Sequence, residues 1–164
     1  MATVELNKPV PNFVAQATSS KDVLLEALRG WRVVIYFYPK DNTPGCTTEG
    51  QDFKEYYEDF LNLKTIVFGV SKDNLKSHEE FRAEYKIPFE LIADVDGDLC
   101  KLFDVIRPQN MYGQQIMGLE RSTFLIDEHG VLRQEWRKVR VNGHADEVFE
   151  AVESLIEEKQ AADL

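Results

Sequence analysis

Two uninterrupted apolar runs, VVIYFY at 33–38 and TIVFGVS at 65–71, constrain this chain more than any other feature. A strand that is apolar on both sides cannot meet water on either, so each belongs inside a sheet that is covered on both faces. Between them, from Cys46 to about Leu61, Phe53, Tyr56, Tyr57, Phe60 and Leu61 recur at helical spacing. A second helix, opened by Asp73, carries Leu75, His78, Phe81 and Tyr85 and stops before Pro88; FELIAD then reads as a short strand and residues 97–104 as a short helix. STFLID at 122–127, the turn EHG at 128–130 and VLRQEW at 131–136 form a hairpin signature, and HADEVFEAVESLIEEK is a closing amphipathic helix. Earlier, Ser20-Lys21-Asp22 before VLLEALRG reads as a capped short helix ended by Gly30. Alternating strands and helices ending in a hairpin and a helix predict an α/β layer fold, parallel in the middle and antiparallel at one edge.

A chain of 164 residues with 43% hydrophobic residues fills one core, and no linker or repeat divides it, so residues 1–164 are expected to form one domain. The N-terminus MATVELNKPVPNF has neither a charged leader nor an apolar segment with a cleavage site, and no membrane-spanning run occurs, which gives a cytoplasmic expectation with no membrane partner. A net charge of −10 without a Lys/Arg patch argues against nucleic acid. With no Gly-rich phosphate loop, no cofactor is expected. ADVDGDLCKLFD resembles a calcium loop only briefly, because its glycine comes too early and Val105 stands where the closing carboxylate belongs. His78, His129 and His144 have no metal-ligand spacing and read as surface or capping residues, so no metal is expected.

The chemistry concentrates in YPKDNTPGCTTEGQDF at 38–53. Thr43 suits an N-cap and Pro44 the first helical position, which puts Cys46 in the first turn of a helix. Unpaired amides and the positive end of the helix dipole favour an anion there, so a thiolate nucleophile is stabilised. Pro39, ending the strand, would shield one side of the sulfur. The plainer alternative is a turn before a helix, with Cys46 packed as a small apolar side chain.

YPKDNTPGCTTE resembles the peroxidatic-cysteine loop of the peroxiredoxins, in particular the bacterioferritin-comigratory or Q-type group, whose signature Pro-x-x-x-Thr-x-x-Cys is met by Pro39, Thr43 and Cys46. GLERSTFLID resembles a second family segment, in which an arginine, here Arg121, precedes a strand. The resemblance implies a thioredoxin-like fold and a thiol peroxidase acting on hydrogen peroxide and small organic hydroperoxides. It also implies the roles: Cys46 as nucleophile, Thr43 as hydroxyl partner to the peroxide, Arg121 as activator, Pro39 as shield and Glu49 as the residue that holds the arginine. Read alone, Arg121 would be a surface cation and Glu49 a solvated helix-start carboxylate.

Many members carry a resolving cysteine where this chain has Gln51, and others in the helix that here reads SHEEFRAEYK. Only Cys100 remains, on an apolar helix face with Leu99 and Phe103; a buried inert thiol is the expectation, a resolving partner the alternative. A one-cysteine cycle then follows, with the sulfenic acid at Cys46 restored by an external thiol of the thioredoxin, glutaredoxin or glutathione type. The family resemblance leans towards a monomer. A non-enzymatic thioredoxin-fold redox sensor or holdase is the alternative function, and turnover separates the two.

Overall fold

The computed structural model describes residues 3–163. The strands are β1 (Val14–Ala17), β2 (Lys21–Leu24), β3 (Arg32–Phe37), β4 (Thr65–Ser71), β5 (Leu91–Ala93), β6 (Ile106–Met111), β7 (Gln114–Leu119), β8 (Ser122–Ile126) and β9 (Leu132–Trp136). The helices are α1 (Pro44–Asn62), α2 (Leu75–Tyr85), α3 (Asp98–Leu102) and α4 (His144–Ala162).

The two apolar runs become β3 and β4, parallel neighbours inside a seven-stranded sheet ordered β2-β1-β5-β4-β3-β8-β9. β5 continues the parallel centre beside β4, whereas β8 pairs antiparallel with β3 and the hairpin β8–β9 forms one edge. The parallel centre and the antiparallel hairpin edge are as expected from the sequence, but the other edge is antiparallel too, because β1 pairs antiparallel with both β5 and β2. Along β3 the period-two alternation divides the core: Val33, Ile35 and Phe37 face one cluster with Leu99, Cys100, Phe103 and Phe124. Val34 and Tyr36, with Tyr38 just beyond the strand, face the other, with Cys46, Phe53, Phe60, Phe81, Leu125 and Val148. Helices α1, α2 and α4 therefore cover one face and α3 the other.

Phe53 anchors α1 to the sheet by stacking on Tyr36, with ring centroids 4.6 Å apart. Tyr36 has room because its neighbour across the ladder is Gly69, where a Cβ would come within 2.8 Å of the tyrosine ring. Truncating Phe53 to alanine would cost about 3 to 5 kcal/mol.

Several elements differ from expectation. Residues 21–24 form β2 rather than a capped helix: Ser19 and Ser20 both have positive φ and turn the chain back so that β2 pairs with β1, leaving only the 3₁₀ turn Leu25–Leu28. The cap of α2 is Asn74, whose side chain accepts from the Ser77 amide at 2.9 Å, while Asp73 turns towards Ser71. Finally, β1 and the separate hairpin β6–β7 were not read from the sequence. The hairpin turns on Tyr112 and Gly113, both at positive φ, as a two-residue connection that follows the strand twist requires.

Candidate active site

Sheet pairing brings the two distant motifs together. Antiparallel register sets Ser122 opposite Phe37, so Arg121, just before β8, lies beside the start of the loop that leaves β3 for α1. That loop runs from Tyr38 to Thr43, and Pro44 takes the first helical position, as its missing N–H allows. Cys46 follows in the first turn, 2% exposed.

Thr43 occupies the N-cap position, but its side chain does not cap the helix. Its hydroxyl donates instead to the Lys40 carbonyl at 2.9 Å. The first-turn amides are thus left open to an anion, and the hydroxyl oxygen keeps its lone pairs for another donor. Pro39 is exposed at the beginning of the same loop.

Arg121 forks between two partners. Its Nη2 donates to Cys46 Sγ at 3.3 Å and its Nη1 donates to Glu49 Oε1, one turn further along α1. Glu49 is buried, not solvated, and its Oε2 has no hydrogen-bond partner among the described residues. Burial pushes the Glu49 carboxyl up to about 7, only partly offset by the guanidinium beside it. Burial works against the charge on Arg121 as well, but Glu49 and Cys46 outweigh it and keep the cation firmly protonated.

The other ionisable groups separate cleanly. Cys100 is buried in the cluster on the opposite side of the sheet from Cys46. Burial, and then the neighbouring Asp94 carboxylate, push its thiol far above the ordinary range, so it stays protonated at neutral pH. His78 and His144 are buried, against the surface reading: each replaces water by specific partners, His78 meeting Asp41 and the Ile92 carbonyl, His144 meeting Thr123 at 2.8 Å. Burial first, then the charge on Arg121, lowers His144 to about 4. Asp41 and these two histidines were missed as parts of the site's surroundings. The sequence signals were an acidic residue within the YPKDNTPGC loop and the place of His78 in the helical row with Leu75, Phe81 and Tyr85.

Residues 6–135 match the AhpC/TSA family model. The chain belongs to the AhpC/TSA family. Within this family of peroxiredoxins it is similar to peroxiredoxin Bcp of Xanthomonas campestris, 45% identical over 93% of this chain and 96% of the relative. It is also similar to peroxiredoxin Bcp of Bacillus subtilis, 39% identical over 94% of this chain and 99% of that one. Among solved structures, Xylella fastidiosa PrxQ superposes with a TM-score of 0.89 at 37% identity, covering 95% of this chain and 99% of that one. The bacterioferritin comigratory protein of Xanthomonas campestris, described for alkyl peroxide reduction from trapped intermediate and ligand complexes, superposes at 0.86 with 44% identity, covering 94% and 98%. The fold is therefore the thioredoxin-like peroxiredoxin fold, the sheet flanked by helices on both faces.

Proposed function

We propose that the chain is a thiol-dependent peroxidase reducing hydrogen peroxide and small organic hydroperoxides at Cys46. The observation that carries this reading is the Arg121 fork, which aims one N–H at the sulfur while a buried carboxylate fixes the other arm. The Cys46 thiolate attacks one peroxide oxygen and the O–O bond breaks. The attacked oxygen stays on sulfur as a sulfenic acid, and the second leaves as water or an alcohol once it takes a proton; sulfur loses two electrons and the peroxide gains them. Arg121 and the open amides of α1 stabilise the charge growing on the departing oxygen. The Thr43 hydroxyl, already donating to Lys40, accepts the peroxide O–H and orients it. Pro39 borders the entrance, and Glu49 holds the guanidinium plane.

The cycle uses one cysteine. Cys46 and Cys100 belong to clusters on opposite faces of the sheet, so joining them requires the core to open. The sulfenic acid is then reduced by an external thiol of the thioredoxin, glutaredoxin or glutathione class, as suits a cytoplasmic setting. The resemblance to the Q-type group leans towards a single domain that works as a monomer. Among the described residues no helix is long and apolar enough to cross a membrane. Peroxide consumption by the purified protein with a thiol reductant tests the reading: activity lost in Cys46→Ser supports it, and equal turnover by that variant removes it.

A further inference from the structure

A second cluster of ionisable side chains lies beside the Cys46 loop and has no part in the chemistry above. Asp41, buried in that loop, receives three donors on its carboxylate: Tyr38 OH on Oδ1 at 2.6 Å, and Ser77 Oγ and His78 Nδ1 on Oδ2, each at 2.7 Å. Its own amide donates to Asp73 Oδ2 at 2.8 Å, and that oxygen also accepts from Ser71 Oγ at 2.6 Å. On its far side, His78 Nε2 donates to the Ile92 carbonyl at 2.9 Å. Since a carbonyl only accepts, Nε2 carries a hydrogen, and the close approach of Nδ1 to a carboxylate oxygen requires a proton between them as well. Asp41 and His78 therefore form a hydrogen-bonded pair in a spot that water does not reach. Burial pushes the Asp41 carboxyl up, but the donors from His78, Tyr38 and Ser77 outweigh it and hold it below its ordinary value. The ligand atoms of Asp41, Asp73 and His78 lie within 4.8 Å of one another. The oxygens and nitrogen that face inward are already taken by protein partners, which favours a clamp over a metal site.

The cluster joins the loop before α1 to the first turns of α2, the end of β4 and the middle of β5. Buried ion pairs contribute little net stability, because desolvation cancels most of their attraction; what they can supply is one allowed geometry. Asp41 adjoins Lys40, whose carbonyl holds the Thr43 hydroxyl, and Asn42 follows at φ 64. Fixing Asp41 therefore fixes the approach of the chain to Pro44 and the first turn of α1.

We propose that Asp41 and His78 are a positioning pair for the Cys46 nucleophile, clamping its loop to α2 and β5 so that sulfur, Arg121 fork and Thr43 hydroxyl converge on one peroxide. The proposal rests on the peroxidase reading. A wild type that consumes no peroxide would fail that reading without any variant; the clamp is tested on an active wild type. Asp41→Asn, His78→Gln and the double variant are compared with it at a temperature where near-UV circular dichroism shows each to be folded. Two rates are measured: single-turnover oxidation of Cys46 by hydrogen peroxide, and alkylation of Cys46 by iodoacetamide. Misplacement by a fraction of an ångström should slow the peroxide step at least about tenfold in each single variant while alkylation slows far less. The double variant should be no slower than the slower single, because the two residues act as a unit. Wild-type peroxide rates in both singles, or equal falls in the two reactions, would reduce the pair to packing and overturn the proposal. Should His78→Gln not fold, Ser77→Ala removes one donor from Asp41: a slowed peroxide step supports the clamp, and an unchanged one overturns it.

Discussion

Arg121 Nη2 lies 3.3 Å from Cys46 Sγ, across a separation of 75 residues in the chain. The contact exists because β8 pairs with β3 in a register that sets Ser122 opposite Phe37, and it gives the sulfur a permanent positive neighbour with N–H donors.

Removing that neighbour should be costly. In Arg121→Leu the second-order rate of Cys46 with hydrogen peroxide is expected to fall by about 10²-fold or more, as loss of a preorganised donor usually does. Arg121→Lys should recover little, because an ammonium cannot serve Sγ and Glu49 from one rigid plane. Stopped-flow oxidation of the reduced variants measures both; wild-type rates in both would detach Arg121 from the reaction.

Gly45 gives a subtler test of the same geometry. A Cβ built there would stand 3.3 Å from Arg121 Nη2, crowding an arm already pinned by Glu49. Gly45→Ala should therefore slow peroxide reduction roughly tenfold through misplacement. The same change should leave thermal stability equal or lower it slightly, since the crowding of a pinned arm opposes the small gain of alanine over glycine in the first helical turn. An unchanged rate would mean the fork tolerates displacement.

Glu49 and His144 pull stability in opposite directions with pH. Glu49 is raised to about 7 from 4.5, so the folded protein keeps a proton that the unfolded chain releases; this contribution is full below 4.5 and is lost as pH rises to 7. His144 is lowered to about 4 from 6.5, so its contribution is present above 6.5 and is lost as pH falls to 4. In thermal melts across this range, wild type should lose stability relative to Glu49→Gln on the way up, and relative to His144→Gln on the way down. Curves that stay parallel to wild type would contradict these assignments.

The sequence carried the centre of the fold well and its margins poorly. β3, β4, β8 and α1 were legible because buried strands and an amphipathic helix impose composition and period directly. β1 and β2 were not, because four-residue edge strands with two serines at positive φ between them carry no comparable pattern. Cys46, Thr43 and Pro39 share one local motif, and Arg121 came with a second. The burial of Glu49, by contrast, depends on Arg121 coming across the sheet, and that of His78 on Asp41, a partner 37 residues away in sequence. A single carboxylate or imidazole in a helix looks solvated until its tertiary partner is placed.

The central claim is that Cys46 alone carries the oxidation. Reduced protein mixed with one equivalent of hydrogen peroxide, without added thiol, should consume the peroxide and gain one oxygen atom by intact mass, on the peptide containing Cys46 and trappable by a sulfenic-acid reagent. Cys100→Ser should behave identically. A loss of two hydrogens with a peptide joining Cys46 to Cys100 would contradict the one-cysteine cycle, and peroxide consumption undiminished in Cys46→Ser would contradict the account as a whole.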